Sequence, residues 1–404
     1  MKIYPFEQSK GFKSLSQFAV SAFGAVIFLS AGSAKALTFN FNPLFDTTTA
    51  QGAAAMAGFQ EAGAYWSAVF TDNVVVNYDL GFADLGTGII AQAGSNTQSF
   101  LYTDVFNALV ADVSSFDDNI AVSSLQNTRS LKLLINRTSN SPHGYGSEIP
   151  YLDNDRDTNN KTIGMATANA KALGLIGANP FQDGFLTFNS SFNYDFDRND
   201  SWIAPGTFDF VAIAVHEIGH ALGFISGVDV LDRNSPPFTN AYTDAQFSRT
   251  AGVSTLDLFR YSDLSFAQGA IDWTVDNRDK YFSIDGGVTK KALFSNGRNL
   301  GDGAQASHWK DDLGIGIMDP TFDYGELGLV APIDVIALDV IGWDMSLAAK
   351  NLYLNVELAK SKSKLETSVL LSSKSKSTSE SSTFLALVAL GAGLLLKQNK
   401  PCRD

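Results

Sequence analysis

The sequence predicts an α+β fold organised around one buried helix. Three observations carry this: an apolar, helix-compatible run that ends in His216-Glu217-Ile218-Gly219-His220, alternating strand-like segments at residues 74–80 and 184–189, and an alanine-rich amphipathic stretch at residues 53–70. With 404 residues and 45% hydrophobic content, the chain can bury one large core or two modest ones.

The helical run comes first because the other elements are read against it. Between Thr207 and Leu222 only Gly219 disfavours helix, and a packed helix tolerates it. Residues i and i+4 share a helical face, so His216 and His220 can reach one ion. Glu217 lies about a hundred degrees round the helix, where its carboxylate can reach a water on that ion without being a ligand. Gly223 can take positive φ and turn the chain out. The competing reading is a buried helix with two satisfied histidines. With only four histidines in the chain, a pair at this spacing around a glutamate favours the metal.

From the N-terminus, Lys2, Lys10 and Lys13 precede an apolar segment at residues 18–30, and Ala34-Lys35-Ala36 fits a small-x-small cleavage site. Residues 1–36 therefore read as a signal peptide, with a secreted or cell-surface product. Residues 53–70 and 102–113 read as helices, and 74–80 and 131–135 as strands. The alanine-rich stretch 163–175 has no clear assignment. Residues 184–189 read as an edge strand able to pair with an extended peptide.

Two acidic loops, Asp153-x-Asp155-x-Asp157 and Asp195-x-Asp197-x-Asn199, present oxygens at alternating positions. That suits Ca2+, but both lack the glycine and glutamate of an EF-hand loop, and solvated turns share the pattern. Residues 224–307 read as structured rather than as a linker. They contain Leu256-Asp257-Leu258-Phe259-Arg260-Tyr261 and a hairpin signal at Tyr281-Phe282-Ser283-Ile284 followed by Asp285-Gly286-Gly287.

Residues 345–383 become rich in Ser and Lys and read as a spacer. Residues 384–396 form a short apolar run, followed by Lys397, Lys400 and Arg403. This layout resembles C-terminal sorting tails of the PEP-CTERM type. Ser379-Glu380-Ser381-Ser382 stands where such tails carry Pro-Glu-Pro, without either proline. The resemblance implies transient membrane contact through residues 384–404.

Formal charge is −13. Residues 1–36 carry four lysines against one glutamate, so the remainder stands at −16. Nucleic acid is therefore not the expected partner. The one cysteine, Cys402, lies in the tail and leaves the folded part without disulfides.

Catalytic zinc needs a third protein ligand and one open position. Metzincin peptidases extend the motif to H-E-x-x-H-x-x-G-x-x-H; here His216, Glu217, His220 and Gly223 match, but the last position is Ser226. His143 sits in the turn-like Ser141-Pro142-His143-Gly144-Tyr145 and reads as a surface residue. His308 lies in Ser307-His308-Trp309, with Gly316-Ile317-Met318-Asp319-Pro320 shortly after. Together with Gly223-Phe224, this resembles the leishmanolysin-like branch of the metzincins over roughly residues 50–344.

The resemblance implies a metzincin-like zincin. Its catalytic domain would span residues 37–344, with an upper subdomain (37–223) holding a twisted mixed sheet and the active-site helix. A lower subdomain (224–344) would hold a methionine turn at Met318 and a closing helix at 329–343. It implies His308 as the third zinc ligand. Asp229 is the main rival, with Glu326 among other carboxylates. Thiol latency, known in that branch, is excluded because no cysteine precedes residue 402.

The expected activity is secreted, zinc-dependent endopeptidase action on a protein or peptide, by a monomer, with Glu217 as general base and Tyr324 as a candidate oxyanion donor. The alternative is a surface or matrix protein that keeps the fold without turnover; zinc hydrolysis of a non-peptide amide is a third reading.

Overall fold

The computed structural model describes residues 37–198, 200–249 and 252–356. The expected signal peptide, most of the spacer, the apolar tail and Cys402 lie outside the described residues. Helices and strands are mixed, with one four-stranded sheet and several smaller ones.

The main sheet is built from β1 (Thr38–Pro43), β2 (Val75–Ala83), β3 (Ala91–Ser95) and β4 (Gly184–Asn189) in the order β1-β2-β4-β3. β1, β2 and β4 run parallel, and β3 closes the order antiparallel to β4. The strand at residues 184–189 forms as expected but is interior. The edges belong to β1 and β3, and β3, whose small and polar residues give little strand signal, is the one beside α2.

Two helices cover this sheet. α1 (Ala50–Val69) starts at Thr49, whose hydroxyl accepts from the Gly52 amide, and buries Phe59, Ala62 and Trp66. α2 (Phe210–Leu222) is buried on all sides, as an all-round apolar helix requires. Phe59 of α1, Phe188 of β4 and Phe210 of α2 meet with centroids 4.4–5.1 Å apart. Gly58 admits the Phe210 ring, since a Cβ there would come within 2.4 Å of it. The Trp66 indole donates to the Val215 carbonyl at 3.0 Å, fixing α1 along α2.

Residues 102–113 fold as the helix Tyr102–Asp112. The unassigned alanine-rich stretch splits into the strand Thr162–Ala166 and the helix Thr167–Ala172. The segment after Gly223 is structured. Its strand Ile271–Asp272 pairs with Leu133–Ile135, which also pairs with Tyr151–Asp153. The hairpin signal falls in the antiparallel pair Lys280–Phe282 and Ala292–Phe294. The expected closing helix forms as α3 (Pro332–Asp339), shorter than 329–343, and residues 347–356 are helical beyond it. Among the described residues no helix is long and apolar enough to cross a membrane.

Candidate metal centre

α2 is anchored at both ends by groups visible in its sequence. The Asp209 carboxylate caps it by accepting from Ala212 N at 2.9 Å, with Arg198 Nε 3.5 Å from the same carboxylate. At the far end Gly223 takes φ 123°, a conformation that disfavours any side chain. The glycine inside the helix has a separate reason. A Cβ on Gly219 would lie 2.7 Å from Met318 Sδ, so the gap in the helix surface is filled by the methionine thioether.

His216 and His220 project from one face of α2, and His308 meets them from 88 residues downstream. His220 Nε2 lies 3.0 Å from Nε2 of both other rings. Each Nδ1 faces a backbone carbonyl: Ile317 O at 2.7 Å for His216, Phe224 O at 2.7 Å for His220, and Gln305 O at 3.3 Å for His308. A carbonyl carries no proton, so the Nδ1 atoms donate and the Nε2 atoms are left as lone pairs. Burial pushes all three rings towards the neutral state, His216 to about 4 and His220 to about 3, with His308 well below its ordinary value.

Three neutral nitrogens therefore point lone pairs at one place with no proton between them. That arrangement is repulsive unless a cation sits among them. The spacing is close to the roughly 3.3 Å expected between two imidazole nitrogens on a tetrahedral zinc. The donor set fits a metal ion.

His308 is held by a network of carboxylates, of which Asp257 is buried and Asp229 half-buried. Asp229 accepts from Ala306 N at 2.7 Å and from the Ser307 hydroxyl, and Ser226 N donates to Ser307 Oγ at 2.8 Å. Ser226 in turn donates to Asp257 at 2.5 Å, and Asp257 also accepts from Gly227 N, Ser254 N and the Trp273 indole. The Ser226-Gly227-Val228-Asp229 run thus positions the His308 segment. Asp229, the expected rival ligand, is spent on this brace and does not belong to the three-histidine cluster.

A second brace runs from α3. Asp334 accepts from the Trp309 indole at 2.7 Å, Ile317 N at 2.8 Å, Ala331 N at 2.7 Å and Met318 N at 3.3 Å. One carboxylate therefore ties the residue after His308 to the turn that carries Met318. Sequence reading missed Asp334, Asp257 and the bracing role of Asp229. The available signal for Asp334 was its place two residues after the helix-starting Pro332.

Glu217 lies in the wall of the cleft beside the cage. Burial pushes its carboxyl up to about 8, opposed by a hydrogen bond from the Ala93 backbone amide; a cation in the cage would draw it back down. The cleft, about 730 Å³, runs between β3 with the preceding residues 88–90 on one side and residues 302–308 with Phe322 on the other. Ile90 O and Asn96 N bond towards the β4 side, so strand alternation turns the backbone of Ala91, Ala93 and Ser95 to the open edge.

Three candidates lie elsewhere. Tyr324 is exposed and stacks on Phe208 at 4.3 Å, and it does not line the cleft; Phe322, edge-on to His216, does. Glu326 is exposed and accepts from Asp323 N. His143 is exposed in a turn. Comparison of the chain with protein-family models, curated proteins and solved structures gave no match.

Proposed function

We propose that the protein is a secreted zinc endopeptidase of metzincin-like architecture, with His216, His220 and His308 as ligands and Glu217 as general base. The observation that carries this reading is the set of three Nε2 lone pairs, each oriented by a carbonyl on Nδ1, beside a buried glutamate in an open cleft. Zinc is preferred because three imidazoles with one free position form its usual catalytic set.

When bound, the ion would act as a Lewis acid and bring the pKa of a coordinated water towards neutrality. Glu217 would take the proton that water gives up and hand it to the leaving amine. The free edge of β3 holds substrate as an added strand, since Ala91, Ser95 and the Ala93 carbonyl turn away from β4 towards the cleft, while the Ala93 amide is engaged with Glu217. Extended peptides fit this edge better than compact small amides, which favours the peptidase over the non-peptide reading. A structural protein without turnover has no use for a glutamate buried at this place, so the silent alternative is disfavoured. Met318 fills the floor under Gly219, in keeping with a methionine turn.

The test is casein cleavage by Glu217→Ala. The variant should keep one zinc per chain and lose about 10²–10⁴-fold in kcat. Unchanged cleavage would remove the proposed mechanism.

A further inference from the structure

Away from the cleft, a second set of ligating side chains comes together from segments far apart in sequence. The turn after the strand Tyr151–Asp153 runs Asp153-Asn154-Asp155-Arg156-Asp157-Thr158-Asn159-Asn160. Asp244 enters from the short helix Asp244–Phe247, in the segment beyond α2. One carboxylate oxygen each from Asp153, Asp155 and Asp244 lies within 4.8 Å of the others. Asp244 is held there by Asn140, whose amide donates to it at 2.8 Å, and by the Tyr151 hydroxyl at 3.3 Å.

The charge in this cluster is not balanced by the chain. Asp153 and Asp244 are buried and Asp155 is exposed. Among the described residues no lysine, arginine or histidine forms an ion pair with any of the three. Burial, reinforced by the charges of Asp244 and Asp155, pushes the Asp153 carboxyl up to about 6.

An independent observation comes from Asn159, which is 2% exposed. Its amide is turned onto the cluster, with Nδ2 donating to Asp153 Oδ2 at 2.6 Å, while Oδ1 of the same amide has no partner. A buried amide oxygen without a donor is costly and rare. Here the amide that bears it touches the Asp153 carboxylate through its nitrogen, and a carboxylate when ionised has no donor to offer. A single water brings two protons to at least four acceptor oxygens; a cation can engage all of them.

We infer that Asp153, Asp155 and Asp244, together with the Asn159 carbonyl, form a Ca2+ site that clamps the 153–160 turn to the segment beyond α2. The donor set is all oxygen, which disfavours zinc. Ca2+ takes six to eight oxygens in a flexible shell supplied by side chains and carbonyls, whereas Mg2+ keeps several of its waters, so a cage built from four protein oxygens suits Ca2+. Among the described residues the other acidic loop forms no cluster of three such groups. Asp195 accepts from Asp197 N and Ala204 N, and no third acidic residue joins it among the described residues.

The clamp has a structural consequence for the cleft. The strand ending at Asp153 pairs with Leu133–Ile135, which pairs with Ile271–Asp272. The next residue, Trp273, donates to Asp257, the carboxylate that holds Ser226 and Gly227. Calcium would therefore fasten the outer end of the scaffold whose inner end positions His308.

Equilibrium dialysis with Ca2+ on zinc-loaded, calcium-stripped protein tests this, with zinc content followed in parallel. Wild type should take up one Ca2+ per chain, prefer it at least tenfold over Mg2+, and melt several degrees higher with it. Asp155→Asn, at an exposed position, and Asp244→Asn should each weaken uptake at least tenfold without changing zinc content. His216→Ala should bind Ca2+ as wild type does, which separates this site from the histidine cage. No uptake at millimolar Ca2+, equal uptake by both Asp variants, or equal affinity for Mg2+ would each overturn the inference.

Discussion

The two sides of the histidine cage are built by different means. His216 and His220 owe their convergence to a single helical turn, and that turn is secured by a capping carboxylate at Asp209 and a glycine at 223. His308 arrives 88 residues after His220, on a segment with no regular element of its own. Its position depends on the pairing of Ser295 N with His308 O, of Trp309 N with Met318 O, and on the carboxylates of Asp229 and Asp334. The near side is therefore a local property of the chain. The far side is a tertiary one, and buried hydrogen bonds to carboxylates set it.

That contrast can be broken most severely at Asp334. Asp334→Ala strips acceptors from the Trp309 indole and from the amides of Ile317 and Ala331, all directed at one buried carboxylate. Unfolding in urea should show a loss of about 3 kcal/mol or more, and the zinc content of the folded fraction should fall. A variant as stable as wild type would mean that α3 does not govern the far side.

Asp229→Ala sharpens the comparison at smaller cost. It frees Ser307 and Ala306 while leaving all three rings in place. Zinc affinity measured by competition with a chromogenic chelator should fall about 10–100-fold. Stability without metal should change less than in Asp334→Ala. If Asp229→Ala instead abolished zinc uptake at any concentration, Asp229 would be a ligand rather than a brace.

The smallest effect concerns a carboxylate outside the cage that lacks such complete satisfaction. Asp72 accepts from Asp344 N at 2.9 Å, yet burial, with Asp344 and Asp118 adding repulsion, pushes it up to about 7. Its folded pKa exceeds the unfolded value near 3.8, so the native state holds the extra proton between them. The charged form therefore costs stability fully above about pH 7, and the cost disappears as pH falls towards 4. Asp72→Asn should exceed wild type in denaturation midpoint at pH 8, by on the order of 1 kcal/mol. That advantage should shrink steadily down to pH 5. A constant difference across this range would contradict the assignment.

What the sequence revealed follows the same division. α2, its cap at Gly223 and the strand at residues 184–189 were legible because periodicity and turn chemistry are local. The i, i+4 spacing also placed two histidines on one face without any tertiary knowledge. Which strand forms the sheet edge was not legible, because strand order depends on pairings between residues such as Gly94 and Phe185, far apart in the chain. β3, short and poor in β-branched residues, hid the edge beside the cleft. Gly219 looked merely tolerated, since the side chain that needs its gap, Met318, lies 99 positions later. The bracing aspartates were invisible for the same reason: a buried carboxylate and a solvated one look alike until their donors are known. His308 stood out through its Ser-His-Trp neighbourhood, a pattern and not a periodicity.

The most direct measurement is the zinc content of purified wild type and His308→Ala by atomic spectroscopy after dialysis against a weak chelator. One zinc per chain in wild type, and a loss of at least tenfold in affinity in the variant despite an intact α2, is the predicted result. Equal zinc in both proteins, or none in wild type, would contradict the three-histidine centre.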